Sequence, residues 1–375
     1  MAGIYFHIPY CRSKCHYCDF YESNNIKTVT QLVNSEIEEL HLRKKYIDNQ
    51  VVETIYFGGG TPSILSIEQL NNLLSEVFST YTVTDTCEIT MEANPEDLTY
   101  DYLKDLSTTR INRLSIGIQS FNDDTLLFLG RRHGTQILQE MIKNAQNLGF
   151  SNISLDLIYG IPGMSYDNYI NSVKAVLNLN VQHISAYALT IEKNTYFYKL
   201  LKTNRLTEVV DDVVISHFNS TIDLLADNGY NHYEVSSFAK DGYRSKHNSS
   251  YWNDKIYLGI GPSAHSYNGV SRQWNINSTK NYCLKLANGD VFYEVEQLTE
   301  IDKYNEYVLL KLRTSEGLSK GYISNHFNNK IVSYFLDEVF RLSNEQYMIN
   351  SGDNLMLTRK GILISDFIIR KLFYV

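Results

Sequence analysis

Over roughly the first half of the chain, short runs rich in β-branched and aromatic residues alternate with longer segments of helical period, and this constrains the fold more than any other feature. The strand-like runs are Ile4 to Ile8, Thr54 to Phe57, Glu88 to Glu92, Arg113 to Gln119, Ile153 to Ile158 and His183 to Leu189. Between them, helical spacing marks Thr30 to Tyr46, Ile67 to Phe78, Thr135 to Leu148 and Tyr166 to Leu177. Read as apolar runs rather than strict in/out alternation, they predict an α/β fold with a parallel sheet covered by helices. Six such units predict a partial TIM-like (β/α)6 barrel over residues 1–235.

The chain has five prolines: Pro9, Pro62, Pro95, Pro162 and Pro262. The first four each follow a strand-like run, in the loop leading to the next helix. Proline stiffens a loop and cannot continue a ladder, and in parallel α/β folds the carboxyl ends of the strands carry the site. A preorganised pocket is therefore expected on that rim. The pattern changes after Ser236: residues 236–295 read as a connecting region, loop-like from Ser237 to Asn281. Residues 296–375 read as a smaller, mostly helical module. Helices are expected near Asp302 to Leu312, Ser319 to His326 and Val332 to Leu342. A hairpin is expected from Tyr347 to Asn350 and Leu355 to Thr358, then a last helix, which together suggest a winged helix.

Composition narrows the function. With 34 Lys plus Arg against 42 Asp plus Glu, the net charge of −8 makes nucleic acid an unexpected partner. The C-terminal module is too nearly neutral to change that. A chain that is 43% apolar and 13% aromatic is not disordered. No apolar run approaches the roughly 18 residues that would span a bilayer. A cytoplasmic protein with at most peripheral membrane contact is expected. Five cysteines, an odd number in a long chain without a leader pattern, argue against a disulfide framework.

Three of those cysteines form Cys11-Arg-Ser-Lys-Cys15-His-Tyr-Cys18 immediately after the first strand. Three thiolates on one loop can hold three irons of a [4Fe-4S] cube and leave the fourth iron open to a small chelating molecule. Zinc, with His7 or His16 as a fourth ligand, is the alternative, although zinc sites usually pair a second C-x2-4-C unit and Cys87 and Cys283 are isolated. After the second strand comes Phe57-Gly58-Gly59-Gly60-Thr61-Pro62, whose glycines expose backbone groups to a polar ligand.

These two elements together resemble the radical S-adenosylmethionine (SAM) superfamily. The resemblance implies that SAM chelates the open iron through its amino and carboxylate groups, with Gly59, Gly60 and Thr61 at the SAM amino group. It also places Tyr5 beside SAM, Tyr17 at the aromatic position between the second and third cysteines, and Glu92 on the SAM ribose. Gln119, Arg131 and Asp156 match further nucleoside and SAM contacts. The chemistry suits them, since a carboxylate accepts from ribose hydroxyls and a guanidinium grips a carboxylate bidentately.

Most of the chain resembles the subfamily that joins oxygen-independent coproporphyrinogen III oxidase to the HemW-like haem chaperones. Three features favour the chaperone branch. Phe20 stands where the oxidase pattern C-x3-C-x2-C-x-C has its last cysteine, and only ten residues precede Cys11. The third is His247-Asn248-Ser249-Ser250-Tyr251-Trp252, which resembles the HNxxYW signature implicated in haem binding. Imidazole can ligate haem iron while indole and phenol rings pack on the macrocycle. The resemblance thus implies His247, Asn248, Tyr251 and Trp252 as haem contacts, His247 as the ligand and His265 as a weaker second candidate. Implied partners are an electron donor and acceptor haemoproteins, among which respiratory enzymes are candidates. The alternative is oxidative decarboxylation of coproporphyrinogen III.

Overall fold

The computed structural model describes residues 1–342 and 346–375. It opens with β1 (Ala2–Ile8), α1 (Val29–Leu42), β2 (Val52–Gly59), α2 (Ile67–Thr80), β3 (Val83–Ala93), α3 (Tyr100–Leu106) and β4 (Arg113–Gln119). There follow α4 (Asp123–Phe128), α5 (Leu138–Asn147), β5 (Ile153–Tyr159), α6 (Tyr166–Asn178), β6 (His183–Ala188), α7 (Tyr196–Lys202) and α8 (Asp211–Asp227). Helix starts are set locally. Ser66, Thr99, Asn122, Ser165 and Thr195 each accept from the backbone N–H three residues on, and Gln69 returns the bond to Ser66.

Strands β1 to β6 pair in parallel and in sequence, giving the expected partial (β/α)6 barrel. The stretch read as loop-like is instead ordered. It forms β7 (Asn231–Glu234), β8 (Ser237–Ala239), α9 (Lys246–Trp252), β9 (Ile256–Ile260), β10 (His265–Tyr267), β11 (Ser271–Asn275), α10 (Thr279–Asn288) and β12 (Tyr293–Gln297). Strand β9 adds a seventh parallel strand on the far side of β1, so the sheet order is β12-β11-β10-β9-β1-β2-β3-β4-β5-β6-β8-β7. Pro262 therefore also follows a parallel strand.

The expectation of uniformly apolar strands is corrected. On β1, Ile4, Phe6 and Ile8 belong to the apolar core, and so do Ile55 and Phe57, Ile89 and Met91, Leu114, Ile116 and Ile118, and Leu155 and Leu157 on the strands that follow. The intervening residues are Tyr5 and His7, Thr54 and Tyr56, Glu88, Thr90 and Glu92, Arg113 and Ser115, and Ser154 and Asp156. Period two puts these on the opposite, lumen face. Thr54, Glu88, Thr90, Arg113, Ser154 and His183 are buried nonetheless. The alternation is masked in the sequence because residues on both faces are buried. Each fully buried large aliphatic side chain on the outer face contributes about 1.5–3 kcal/mol.

The C-terminal segment comprises α11 (Glu300–Lys311), β13 (Leu318–Ser319), α12 (Lys320–His326), α13 (Asn329–Leu342), β14 (Met348–Ser351), β15 (Asn354–Leu357), α14 (Arg359–Leu363) and α15 (Ser365–Leu372). This is the helix–strand–helix–helix–hairpin order of a winged helix, with its own apolar core around Tyr304, Phe335 and Ile368. Glu306 of α11 pairs with Arg272 of β11, and just past the helix the Arg313 carbonyl accepts from the Val235 N–H, after β7, at 3.0 Å. Among the described residues no helix is long and apolar enough to cross a membrane.

Candidate cofactor site

The cysteine loop leaves β1 through Pro9 and is pinned on both flanks. The Ser23 N–H donates to the Pro9 carbonyl at 2.6 Å, the Tyr10 hydroxyl lies 2.8 Å from Thr28 Oγ1, and the His16 N–H donates to Leu129 O at 3.0 Å. Cys11, Cys15 and Cys18 all line one cavity of about 510 Å³ at the carboxyl ends of the strands. Its wall also contains Tyr17, Gly59, Gly60, Thr61, Glu92, Gln119, Arg131 and Asp156, so residues spread over some 140 positions converge on one space.

Segments that follow β1, β2, β3 and α4 meet there in a chain of contacts. Cys11 Sγ lies 3.4 Å from Thr61 Oγ1, and Asn94 Nδ2 donates to that hydroxyl at 3.1 Å. Arg131 Nη2 donates to Asn94 Oδ1 and to the Gly117 carbonyl, each at 2.7 Å, while Nη1 lies 3.5 Å from Cys15 Sγ. Gly60 is required because a side chain there would meet the Tyr10 carbonyl oxygen at 2.8 Å, and Gly59 holds φ at +110°. Gln119 ends β4 at φ +62°, a left-handed conformation costly for a residue with a side chain, next to a register shift in the pairing of β4 with β5.

The donor set fits a [4Fe-4S] cluster with SAM. The zinc alternative gains no fourth ligand from the cavity wall: neither His7 nor His16 lines it, His16 Nδ1 lying 2.8 Å from the Phe128 carbonyl oxygen and His7 packing beside Gly59. Among the described residues no three His, Cys, Asp or Glu side chains converge as a single ion needs. Burial pushes the Cys11 thiol up to about 11, so without iron to hold it as thiolate it is an inert thiol rather than a redox nucleophile. Cys87 and Cys283 are buried apart from the cavity. Deeper in, burial pushes Glu92 up to about 7 and Asp156 up to about 6. Asp156 Oδ1 and Arg131 Nε are buried without a partner among the described residues, the condition of groups awaiting a polar ligand.

Sequence reasoning overlooked Asn94, Tyr56 and Arg113. Asn94 sits in the same Glu-Ala-Asn-Pro stretch as Glu92. Tyr56 shares the lumen face, and its hydroxyl donates to Glu92 Oε1 at 2.7 Å. Arg113 is 1% exposed with Nε and Nη1 unpartnered. Period-two parity along β2 and β4 was the available signal for both.

Tyr5 and the HNxxYW residues do not line the cavity. Tyr5 lies beneath it, its ring centroid 6.1 Å from that of Tyr56. The HNxxYW stretch, within the segment read as loop-like, is the helix α9, and His247 is fully buried at the opposite, amino-terminal end of the strands. His247 Nδ1 lies 2.8 Å from Thr54 Oγ1 and Nε2 lies 2.9 Å from the Tyr251 hydroxyl, so neither nitrogen is free to ligate iron in this state. Burial pushes the imidazole down to about 3, keeping it neutral. Asn248 and Trp252 are partly buried on the same helix. His265 is exposed on β10 and stacks on Trp274 at 6.1 Å.

Residues 5–176 match the Radical SAM superfamily and residues 298–364 match the HemN C-terminal domain. Among curated proteins, the chain is 33% identical to the heme chaperone HemW of Lactococcus lactis, covering 98% of this chain and 96% of that one. It is equally identical to the heme chaperone HemW of Bacillus subtilis, over 98% and 97%. Among solved structures, the coproporphyrinogen III oxidase HemN of Escherichia coli, a radical SAM enzyme, superposes with a TM-score of 0.86 over 99% of this chain and 90% of that chain at 22% identity, a likeness of fold. Cysteine loop, glycine loop and full-length similarity agree, and the chain belongs to the HemW family within the radical SAM superfamily.

Proposed function

We propose that the protein is a cytoplasmic haem chaperone that carries a [4Fe-4S] cluster and SAM, binds haem and delivers it to acceptor haemoproteins. Full-length similarity to HemW proteins carries the reading. Within it, Cys11, Cys15 and Cys18 hold the cluster, whose open iron supplies one-electron chemistry when SAM is bound. Gly59, Gly60 and Thr61 present polar groups to the SAM amino end, and Glu92 accepts from the ribose hydroxyls. Arg131, already fixed by Asn94, presents its remaining N–H to the carboxylate end. Haem belongs to α9, with His247 ligating only after its ring leaves Thr54 and Tyr251.

The oxidase reading gains no support from the cavity. Phe20, at the position of the oxidase's last cysteine, is 66% exposed at the cavity mouth. Anaerobically reconstituted protein, titrated with haem and then mixed with an apo-haemoprotein, is expected to develop a Soret band and pass it on. Formation of protoporphyrinogen IX from coproporphyrinogen III, with SAM and an electron donor, would overturn the chaperone reading.

A further inference from the structure

The SAM cavity and α9 lie at opposite ends of the barrel, yet the lumen joins them through side chains in direct contact. At the upper end, the Tyr56 hydroxyl donates to Glu92 Oε1 at 2.7 Å. The same Tyr56 ring stacks on His247 with centroids 4.9 Å apart and an interplanar angle of 26°. Tyr5 lies against both, at 6.1 Å from Tyr56 and 6.3 Å from His247. A second link runs through the backbone. Glu88, four residues before Glu92 and on the same face of β3, accepts the N–H of His247 on Oε1 and that of Lys246 on Oε2, each at 3.0 Å. One strand thus carries the carboxylate that faces the cavity and the carboxylate that holds the first turn of α9. Among the described residues the Glu88 carboxylate bonds only to these two N–H groups of α9.

We propose that Tyr56 and Glu88 are positioning residues that couple the SAM cavity to α9, so that the two ends of the barrel do not fill independently. Its haem arm rests on the function proposed above. A cationic sulfonium in the cavity favours ionised Glu92, and an ionised carboxylate is the stronger acceptor for the Tyr56 hydroxyl. A more firmly held Tyr56 keeps the His247 ring under it, and with it the bonds to Thr54 and Tyr251. Filling of the upper site therefore closes α9, and emptying it loosens the ring that must swing out to meet a planar metal complex. Because binding linkage is reciprocal, a ligand that draws His247 out weakens SAM by the same factor.

Two readouts on the full-length, anaerobically reconstituted protein test this. Hydrogen exchange of the α9 amides, with and without saturating SAM, reports the coupling without haem. SAM is expected to slow exchange over residues 246–252 at least about threefold, and Tyr56→Phe, which keeps the ring and removes the hydroxyl, should abolish that slowing. Glu88→Gln, which weakens the hold on α9 and leaves the cavity wall unchanged, should reduce it. In parallel, Soret titrations should give a haem Kd about fivefold or more weaker with SAM than without in the wild type, at the low end of usual coupling between sites, and a ratio near one in Tyr56→Phe. Exchange in α9 that ignores SAM in the wild type, or that slows equally in both variants, overturns the proposal. Protection of α9 by SAM in a protein that binds no haem supports the coupling and sinks the haem reading instead.

Discussion

Asn94 accepts a hydrogen bond from Arg131 at 2.7 Å while donating to Thr61 at 3.1 Å, so a single amide fastens the segment after α4 to the loops after β2 and β3. Arg131 would otherwise be a long, flexible side chain, costly to immobilise at the moment of binding. Asn94→Ala is expected to leave cluster iron unchanged and to weaken SAM about tenfold or more, the scale of a hydrogen bond to a charged group. Isothermal titration of reconstituted protein, with iron analysis on the same sample, checks it. Unaltered SAM affinity would show that Arg131 is held by Gly117 alone.

Replacing Cys11, Cys15 and Cys18 together by Ala should remove the brown colour and charge-transfer absorption of anaerobically purified protein. Cys87→Ala and Cys283→Ala should keep both. The two buried thiols lie away from the cavity, and Cys87, pushed up to about 12 by burial, is not a thiolate. Iron assays on the four proteins decide it, and iron retained by the triple variant would refute the ligand set.

The buried Glu92 carboxyl, raised to about 7, is largely protonated at pH 6 and ionised at pH 8. Only the ionised form accepts from two ribose hydroxyls with full strength. SAM affinity is therefore expected to rise through this range and level off above it, with a single titration visible in log Kd. Glu92→Gln should flatten that profile. A parallel dependence in the variant would assign the titration to another group, Asp156 being the first to examine.

Glu36 on α1 is fully buried with neither carboxylate oxygen bonded among the described residues, and burial, reinforced by Glu39, raises its pKa well above the usual value. The folded state therefore holds the proton more tightly than the unfolded chain, whose Glu titrates near 4.3. Its contribution is fully present below that value and declines as pH rises toward the folded pKa. Glu36→Gln should accordingly gain stability over the wild type as pH increases from about 5 to 8. Urea unfolding at several pH values measures the difference; a gap independent of pH would mean that Glu36 is ionised in the fold.

The rim was legible because its residues occur in short local patterns tied to strand ends. The three cysteines, Gly59, Gly60, Glu92, Gln119, Arg131 and Asp156, which the family resemblance singled out, all reach one cavity. What failed was non-local. His247 looked like a loop residue because its partners are Thr54 and Tyr56, roughly 190 residues earlier, and Glu88 on a third strand. Nothing near position 247 in the chain signals that burial. Glu36 was discoverable. It falls in register with Leu32, Val33 and Leu40 on the buried stripe of α1, where a carboxylate is out of place. The parallel strand β9 was missed because Leu258 to Ser266 is short and broken by glycines, one of which, Gly259, has no room for a side chain beside the His265 carbonyl.

The division of each barrel strand into an apolar outer face and a polar inner one has a consequence for divergence. The apolar set packs between strands and helices, whereas the lumen residues are held to one another by hydrogen bonds, so they can be exchanged as matched groups without disturbing the outer packing. A lineage can thus retool the interior for another cargo while inheriting the same container. Sequence identity concentrated in alternate strand positions would be the trace of such a history, the outer set drifting among aliphatics and the inner set changing in discrete chemical steps.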